Sequence, residues 1–304
     1  MNKRWDRMDS LIVCNTGSDY ISKLSLLKSL DLDINYEEIL LTMGERPFGP
    51  NGIYINNNMA YLANSYNNSI SILNIDTLKE IDFIYIGGHP NDLIGYENNL
   101  YIICSESNSV VVYDMDEKRI ILEIKTNNWP YNIELSKELG LIFITNFQSN
   151  NISVIDIISN NIIGELITLE YPTKVRVSKD GKLLYVCESY MGDENNGYIE
   201  VFDLITLKSL RKIEVGKVPI DIIEEENILY ICNLMDGSIT FLDKIKLIKI
   251  NEIIVGGMPK SLVKYGDILY IGDYLNGRII CLDLRNNNTK AITVGKEPNA
   301  MTLY

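Results

Sequence analysis

The chain runs to 304 residues, is 46% hydrophobic and 23% charged, and has a mean hydropathy of +0.01. Those values belong to a globular protein, not to a disordered or fibrous one. The formal charge of −13 argues against a partner gripped through its phosphates, and the single histidine, His89, excludes any site built on two or more imidazoles.

The N-terminus is charged, and its only apolar run, Leu11 to Cys14, is shorter than the ~7–15 residues of a signal-peptide core. No stretch approaches the ~18 apolar residues of a transmembrane helix. Five cysteines, an odd number, with no CxxC, read as free thiols in a reducing cytosol. The expected location is therefore the cytoplasm, away from membranes, and the bias toward Ile, Asn and Lys is that of a bacterium with AT-rich DNA.

Residues 1–9 read as an N-terminal extension. A strand follows at Leu11 to Asn15, a second from Ile21, and a third near Ile39. A loop from Lys28 to Glu38 separates the last two. From Pro50 onward the chain repeats. Seven of its eight prolines open the pattern Pro-x-x-apolar, at Pro50, Pro90, Pro130, Pro172, Pro219, Pro259 and Pro298, with spacings of 40, 40, 42, 47, 40 and 39. Glycine stands just before several of them, at Gly87-Gly88, Gly216, Gly256-Gly257 and Gly295.

Within each repeat a short strand follows the proline. A second strand ends in Asn64, Asn146, Glu188, Asn233 or Asp273, with Cys104 at that position in the second repeat. A turn comes next; Asn67-Asn68, Asp236-Gly237 and Asn276-Gly277 predict type I′ hairpins. A third strand ends at Asn74, Asp114, Asp156, Asp203, Asp243 or Asp283, and a fourth completes the unit. Four short strands per ~40 residues is the pattern of a propeller blade. Six complete repeats plus two terminal fragments make seven blades. The strand after Pro298 is expected to pair with the strand at residues 11–15 and close the ring. The fold class is thus all-β, a seven-bladed β-propeller of four-stranded antiparallel blades. It forms one domain over residues 10–304, its last blade split between 10–46 and 298–304.

Val215-Gly216…Pro219, Tyr230-Ile-Cys-Asn233 and Phe241-Leu-Asp243, with Phe143-Ile-Thr-Asn146 and Val154-Ile-Asp156, resemble the YVTN-repeat family of seven-bladed propellers. The resemblance implies the fold and leaves the function open, because propellers host many activities. It also implies that the site lies on the face formed by the loops joining fourth to first and second to third strands.

Residues that recur in every blade read as structural. The strand-end aspartates bond turn amides, and the small residues Cys14, Ala63, Cys187, Cys232 and Gly272 let blades pack. Function is sought among residues that break the repeat. On the loop face acidic residues outnumber basic ones two to one, and single-copy aromatics, Phe48 among them, fall there. The candidate ligand- or partner-binding residues are Arg46, Tyr66, His89, Trp129, Tyr131, Glu188, Tyr190, Asp273 and Tyr274. No catalytic residue is assigned. No cofactor is expected, except that Glu188 and Asp273, pointing into the channel mouth beside the repeat asparagines, could hold a divalent cation. Asp193, Glu194 and Asn195 of the 189–197 insertion offer oxygen ligands of the calcium kind without the usual spacing.

The expected function is a non-enzymatic, monomeric binding scaffold for a protein segment or small ligand. A metal-dependent lactonase or lyase at the channel mouth is the alternative. Nucleic acid is disfavoured unless Lys174, Arg176, Arg211 and Lys212 form a local patch.

Overall fold

A computed structural model describes residues 10–190 and 195–304. The N-terminal extension, and Asp193 and Glu194 of the insertion, lie outside the described residues. Seven sheets of four antiparallel strands form a ring, and no helix occurs among the described residues. Six blades are continuous in sequence: 50–85, 90–125, 130–167, 172–214, 219–254 and 259–293. The seventh orders its strands Pro298–Leu303, Ser10–Asn15, Tyr20–Ser25, Tyr36–Leu40. Its closing register sets Leu11 against Leu303 and Val13 against Met301, and Ser10 and Tyr304 exchange backbone hydrogen bonds of 3.1 and 2.9 Å. The predicted ring closure is therefore present.

The second strands are near-continuous apolar runs because they are covered on both faces. Leu-Tyr-Ile-Ile-Cys at 100–104 is buried at every position. An apolar cluster fills each contact between adjacent blades; Ile12, Cys14 and Ile21 of the closing blade meet Ala60 and Leu62 of the first. Cys14 lies against the next inner strand, its Sγ 3.9 Å from the Gly52 oxygen, so the small residue of the second strand is a packing choice. All five cysteines are free and buried. Burial pushes the Cys104 and Cys281 thiols up to about 12.

The strand-end residues do what their recurrence predicts. Asp156 Oδ1 accepts the Ser159 N–H at 2.8 Å, Asp203 Oδ1 accepts Thr206 N–H at 2.7 Å, and Asp243 Oδ1 accepts Lys246 N–H at 2.8 Å. The outer strands of the first five blades carry a register shift, such as that between Val112 and Tyr113, which twists a free edge away from pairing.

Two local expectations change. The hairpin turns are four-residue loops, 65–68 in the first blade, and only the last residue is left-handed: Asn68 (φ 59°), Gly237 (φ 60°), Gly277 (φ 61°). A type I′ turn needs positive φ at both central residues. The third strand of the closing blade ends at Ser25 and the last starts at Tyr36, so the intervening loop is 26–35 instead of Lys28 to Glu38.

Candidate functional site

The inner strands ring the axis with one edge facing it. Their unpaired N–H groups need partners, and the neighbouring blade supplies them. Val175 N–H donates to Asn132 Oδ1 at 3.0 Å, Val177 N–H to Glu134 Oε1 at 3.2 Å, and Leu262 N–H to Asp221 Oδ2 at 2.8 Å. Asn132, Asp221 and Asp92, each the third residue of its Pro-x-x unit, thus latch one blade to the next. These side chains wall an axial channel of about 310 Å³. Lys174 lies 3.5 Å from Asp221, and Arg176 lies 3.5 Å from Glu134. Burial pushes the Asp92 carboxyl above its ordinary range, while Lys174 opposes that shift.

On the loop face the channel opens into a cup of about 280 Å³, lined by Tyr66, His89, Trp129, Tyr131, Lys260 and Tyr274, with Asn51, Asn91 and Asn299 at its base. The second group follows repeat prolines directly, as do Tyr131 and Lys260. Asn51, Asn91, Tyr131, Lys260 and Asn299 also line the channel, so the two spaces are continuous. Asn91 Nδ2 donates to the Tyr131 oxygen at 2.5 Å, and Asn51 Nδ2 to the Asn91 oxygen at 3.1 Å.

Two of the cup side chains, His89 and Trp129, are held by a strained backbone. The residue before six of the seven repeat prolines has positive φ: Gly49 (66°), His89 (54°), Trp129 (55°), Tyr171 (51°), Val218 (54°) and Glu297 (56°). Each non-glycine there costs roughly 1–2 kcal/mol. The surroundings enforce it. His89 N–H donates to Asn68 Oδ1 at 2.8 Å and its carbonyl accepts Ser105 N–H at 2.9 Å; Trp129 N–H donates to Asn108 Oδ1 at 2.8 Å and its carbonyl accepts Phe147 N–H at 2.9 Å. The His89 and Trp129 rings lie 5.8 Å apart. Burial lowers the His89 pKa against the pull of Glu106, which favours the neutral imidazole. Across the mouth, Tyr66 Oη donates to Glu297 Oε2 at 3.3 Å. Burial first, then Glu297, raises the Tyr66 and Tyr274 hydroxyls.

Five of the nine candidate residues, Tyr66, His89, Trp129, Tyr131 and Tyr274, therefore meet in one cup. Four do not. Arg46 is exposed and lies 3.6 Å from Asp19. Tyr190, within the insertion, packs 6.2 Å from the Tyr198 ring. Phe48, read as a rim aromatic, is fully buried in edge contact with Phe83, 6.1 Å between centroids.

Glu188 and Asp273 do not face the channel mouth; the repeat asparagines point into the blades, and so do they. Asn233 shows the fullest arrangement. Its Nδ2 donates to Ser238 Oγ at 2.9 Å and Thr240 Oγ1 at 2.8 Å, and its Oδ1 accepts Gly216 N–H at 3.2 Å. This bond ties the repeat glycine to the repeat asparagine: a Cβ on Gly216 would sit 2.6 Å from Asn233 Cγ. Asp273 accepts Met258 N–H at 3.0 Å, Asn276 Nδ2 at 2.8 Å and Arg278 Nε at 2.7 Å. Burial works against its charge, but these donors outweigh it and hold the carboxyl below its usual range. Glu188, two blades away, accepts Leu169 N–H at 2.9 Å. Among the described residues no three His, Cys, Asp or Glu side chains converge as a metal site. The basic candidates do not form one patch: Lys174 and Arg176 lie on the innermost strand of the fourth blade, Arg211 and Lys212 on its outermost.

Fold and site together define a seven-bladed β-propeller with an aromatic cup over its axial channel. No family model matches the chain, and no curated protein matches it. Solved structures do. Hydrazine synthase of Kuenenia stuttgartiensis matches at 20% identity and a TM-score of 0.72, over 80% of this chain and 79% of that one. A functionally unknown protein from Desulfotomaculum acetoxidans matches at 11% identity and a TM-score of 0.78, over 97% and 98%. The dihydro-heme d1 dehydrogenase NirN, in complex with DHE, matches at 10% identity and a TM-score of 0.68, over 100% and 78%. At these identities the likeness is one of fold.

Proposed function

We propose that this chain is a YVTN-type propeller acting in the cytoplasm as a monomeric, non-catalytic binding scaffold, and that the cup receives a small ligand or the side chain of a protein segment. The observation that carries this reading is the convergence of Tyr66, His89, Trp129, Tyr131 and Tyr274 from separate blades on one cavity. Two of those side chains hang from backbone held in the left-handed region. Strain kept at a rim that needs no bulky residue for the fold is a mark of function. The carboxylates of Glu188 and Asp273 are committed to structural bonds in different blades, so the geometry favours binding over metal-assisted hydrolysis or elimination.

The protein carries its own reporter. It has two tryptophans, and Trp5→Phe leaves Trp129 alone. Metabolite and peptide libraries are screened for saturable change in Trp129 emission. Hits are expected to lose affinity at least tenfold in Tyr131→Ala/Tyr274→Ala. Hits that bind this double variant as tightly as the parent would refute the cup as the site.

A further inference from the structure

We propose that the cup is selective for a small, flat anion, such as an aromatic carboxylate, with Lys260 as the residue that receives the charge. This rests on the cup being the binding site and specifies the chemistry of its occupant.

Three cations line the axial space. Two are neutralised there: Lys174 by Asp221 and Arg176 by Glu134, each at 3.5 Å. Lys260 is the exception. Its Nζ donates to Tyr131 Oη at 2.7 Å and lies 5.4 Å from that ring's centroid. Among the described residues no carboxylate lies within 4.0 Å of it. An ammonium has three donors, and one is used. In a chain with a formal charge of −13, a half-buried ammonium facing tyrosine instead of a carboxylate is a group in reserve.

The rest of the cup has the same imbalance. The Trp129 indole N–H has no acceptor among the described residues, and Tyr131, having accepted from Lys260, keeps its own O–H. At the mouth Glu297 is taken up by the hydroxyls of Tyr66 and Tyr274. Donors are left over: two on Lys260, one on Trp129 and one on Tyr131. The occupant that balances them is rich in acceptors and flat enough to lie against aromatic walls. The net negative charge of the whole chain opposes an incoming anion. At physiological salt the Debye length is ~8 Å, so distant carboxylates are screened while a direct ion pair in the cup is not.

The test uses three probes of one shape: phenylacetate, phenylacetamide and 2-phenylethylamine, with charges of about −1, 0 and +1 at neutral pH. Each is titrated into the full-length Trp5→Phe protein at physiological salt, with Trp129 emission as the readout. Phenylacetate is expected to bind at least tenfold more tightly than the amide, and the amine more weakly still. Lys260→Met is expected to bring phenylacetate down to the level of the amide. Lys208→Met, which removes a charge from the outer strand of the fourth blade, is expected to keep the preference. Equal binding of acid and amide, or a preference for the amine, overturns the anion assignment and leaves the cup intact as a site. Failure of all three to give a saturable change overturns the cup itself.

Discussion

The fourth blade contains a buried pair whose stability depends on one proton. In four of the other blades the repeat asparagine donates to a hydroxyl on the third strand: Asn15 to Ser22 at 2.9 Å, Asn64 to Ser71 at 2.8 Å, Asn146 to Ser153 at 2.9 Å, Asn233 to Thr240 at 2.8 Å. In the fourth, both partners are glutamates. Glu188 is fully buried and Glu200 is 1% exposed. The Oε2 of each has no donor in reach, so a proton shared between them satisfies both. Glu200 Oε1 accepts Ser209 Oγ–H and lies 3.4 Å from Lys212 Nζ, which favours the charge on Glu200 and the proton on Glu188. Burial, then the hydrogen bond and charge of Glu200, raise the Glu188 pKa. The unfolded chain loses this proton near the ordinary glutamate value and the folded chain keeps it. The contribution to stability is therefore fully present at low pH and declines as pH rises toward the folded-state pKa. One proton of difference costs about 1.4 kcal/mol per pH unit, or about 3 kcal/mol between pH 6 and 8. Glu188→Gln replaces the proton with a permanent N–H donor, as in the asparagine blades. Urea unfolding at pH 6, 7 and 8 checks this. The variant is expected to gain on the wild type steadily with pH, by about 1 M in midpoint at pH 8 if m is near 3 kcal/mol/M. Parallel curves, with the gap between the two proteins constant from pH 6 to 8, would refute the shared proton.

Two further outcomes follow from the blade architecture. Gly257→Ala places a Cβ 2.2 Å from Asp273 Oδ1 at a residue with φ of +66°, so it is expected to cost roughly 2–4 kcal/mol, read as a fall in thermal midpoint relative to Gly266→Ala, where a Cβ meets nothing within 4 Å. The five buried thiols, with pKa values raised by burial, are expected to resist a disulfide reagent in the native protein and all to react in denaturant; fast native labelling of Cys187 or Cys232 would show that the fourth and fifth blades open.

The fold was legible because each blade must solve the same problem. Pro50 through Pro298 mark where the chain enters the axis, and the second strand ends in a buried polar residue in six blades of seven, Cys104 being the exception. Both landmarks recur at a spacing near 40 residues in the sequence itself. The turn geometry was less legible. Asn67-Asn68 fits a two-residue turn by composition, but the strands end at Asn64 and resume at Ser69. Glu188 and Asp273 were misplaced for a related reason. They were read as departures from a ring of asparagines facing the channel, yet that ring faces inward, into the hairpins. A carboxylate there accepts an N–H from the loop before the inner strand and must find new partners for its other oxygen: Arg278 for Asp273, a proton for Glu188.

The aromatic half of the cup was visible as single-copy residues, but its base and its cation were not singled out. Lys260, Asn51, Asn91 and Asn299 occupy one position, directly after the proline, with Tyr131, Thr173 and Ile220 in the remaining repeats. The position before the proline varies as widely, from Gly49 to Trp129 to Glu297, although its backbone needs positive φ in six repeats of seven. A fold under strain alone would place glycine or asparagine there each time. Variation at two positions flanking a fixed proline means that the fold sets the backbone and leaves the side chains open. In a propeller those positions border the axial opening, where blades present side chains to a common space. The binding role proposed above, with a ligand touching several blades at once, would account for a repeat so regular in its framework and so irregular at its rim.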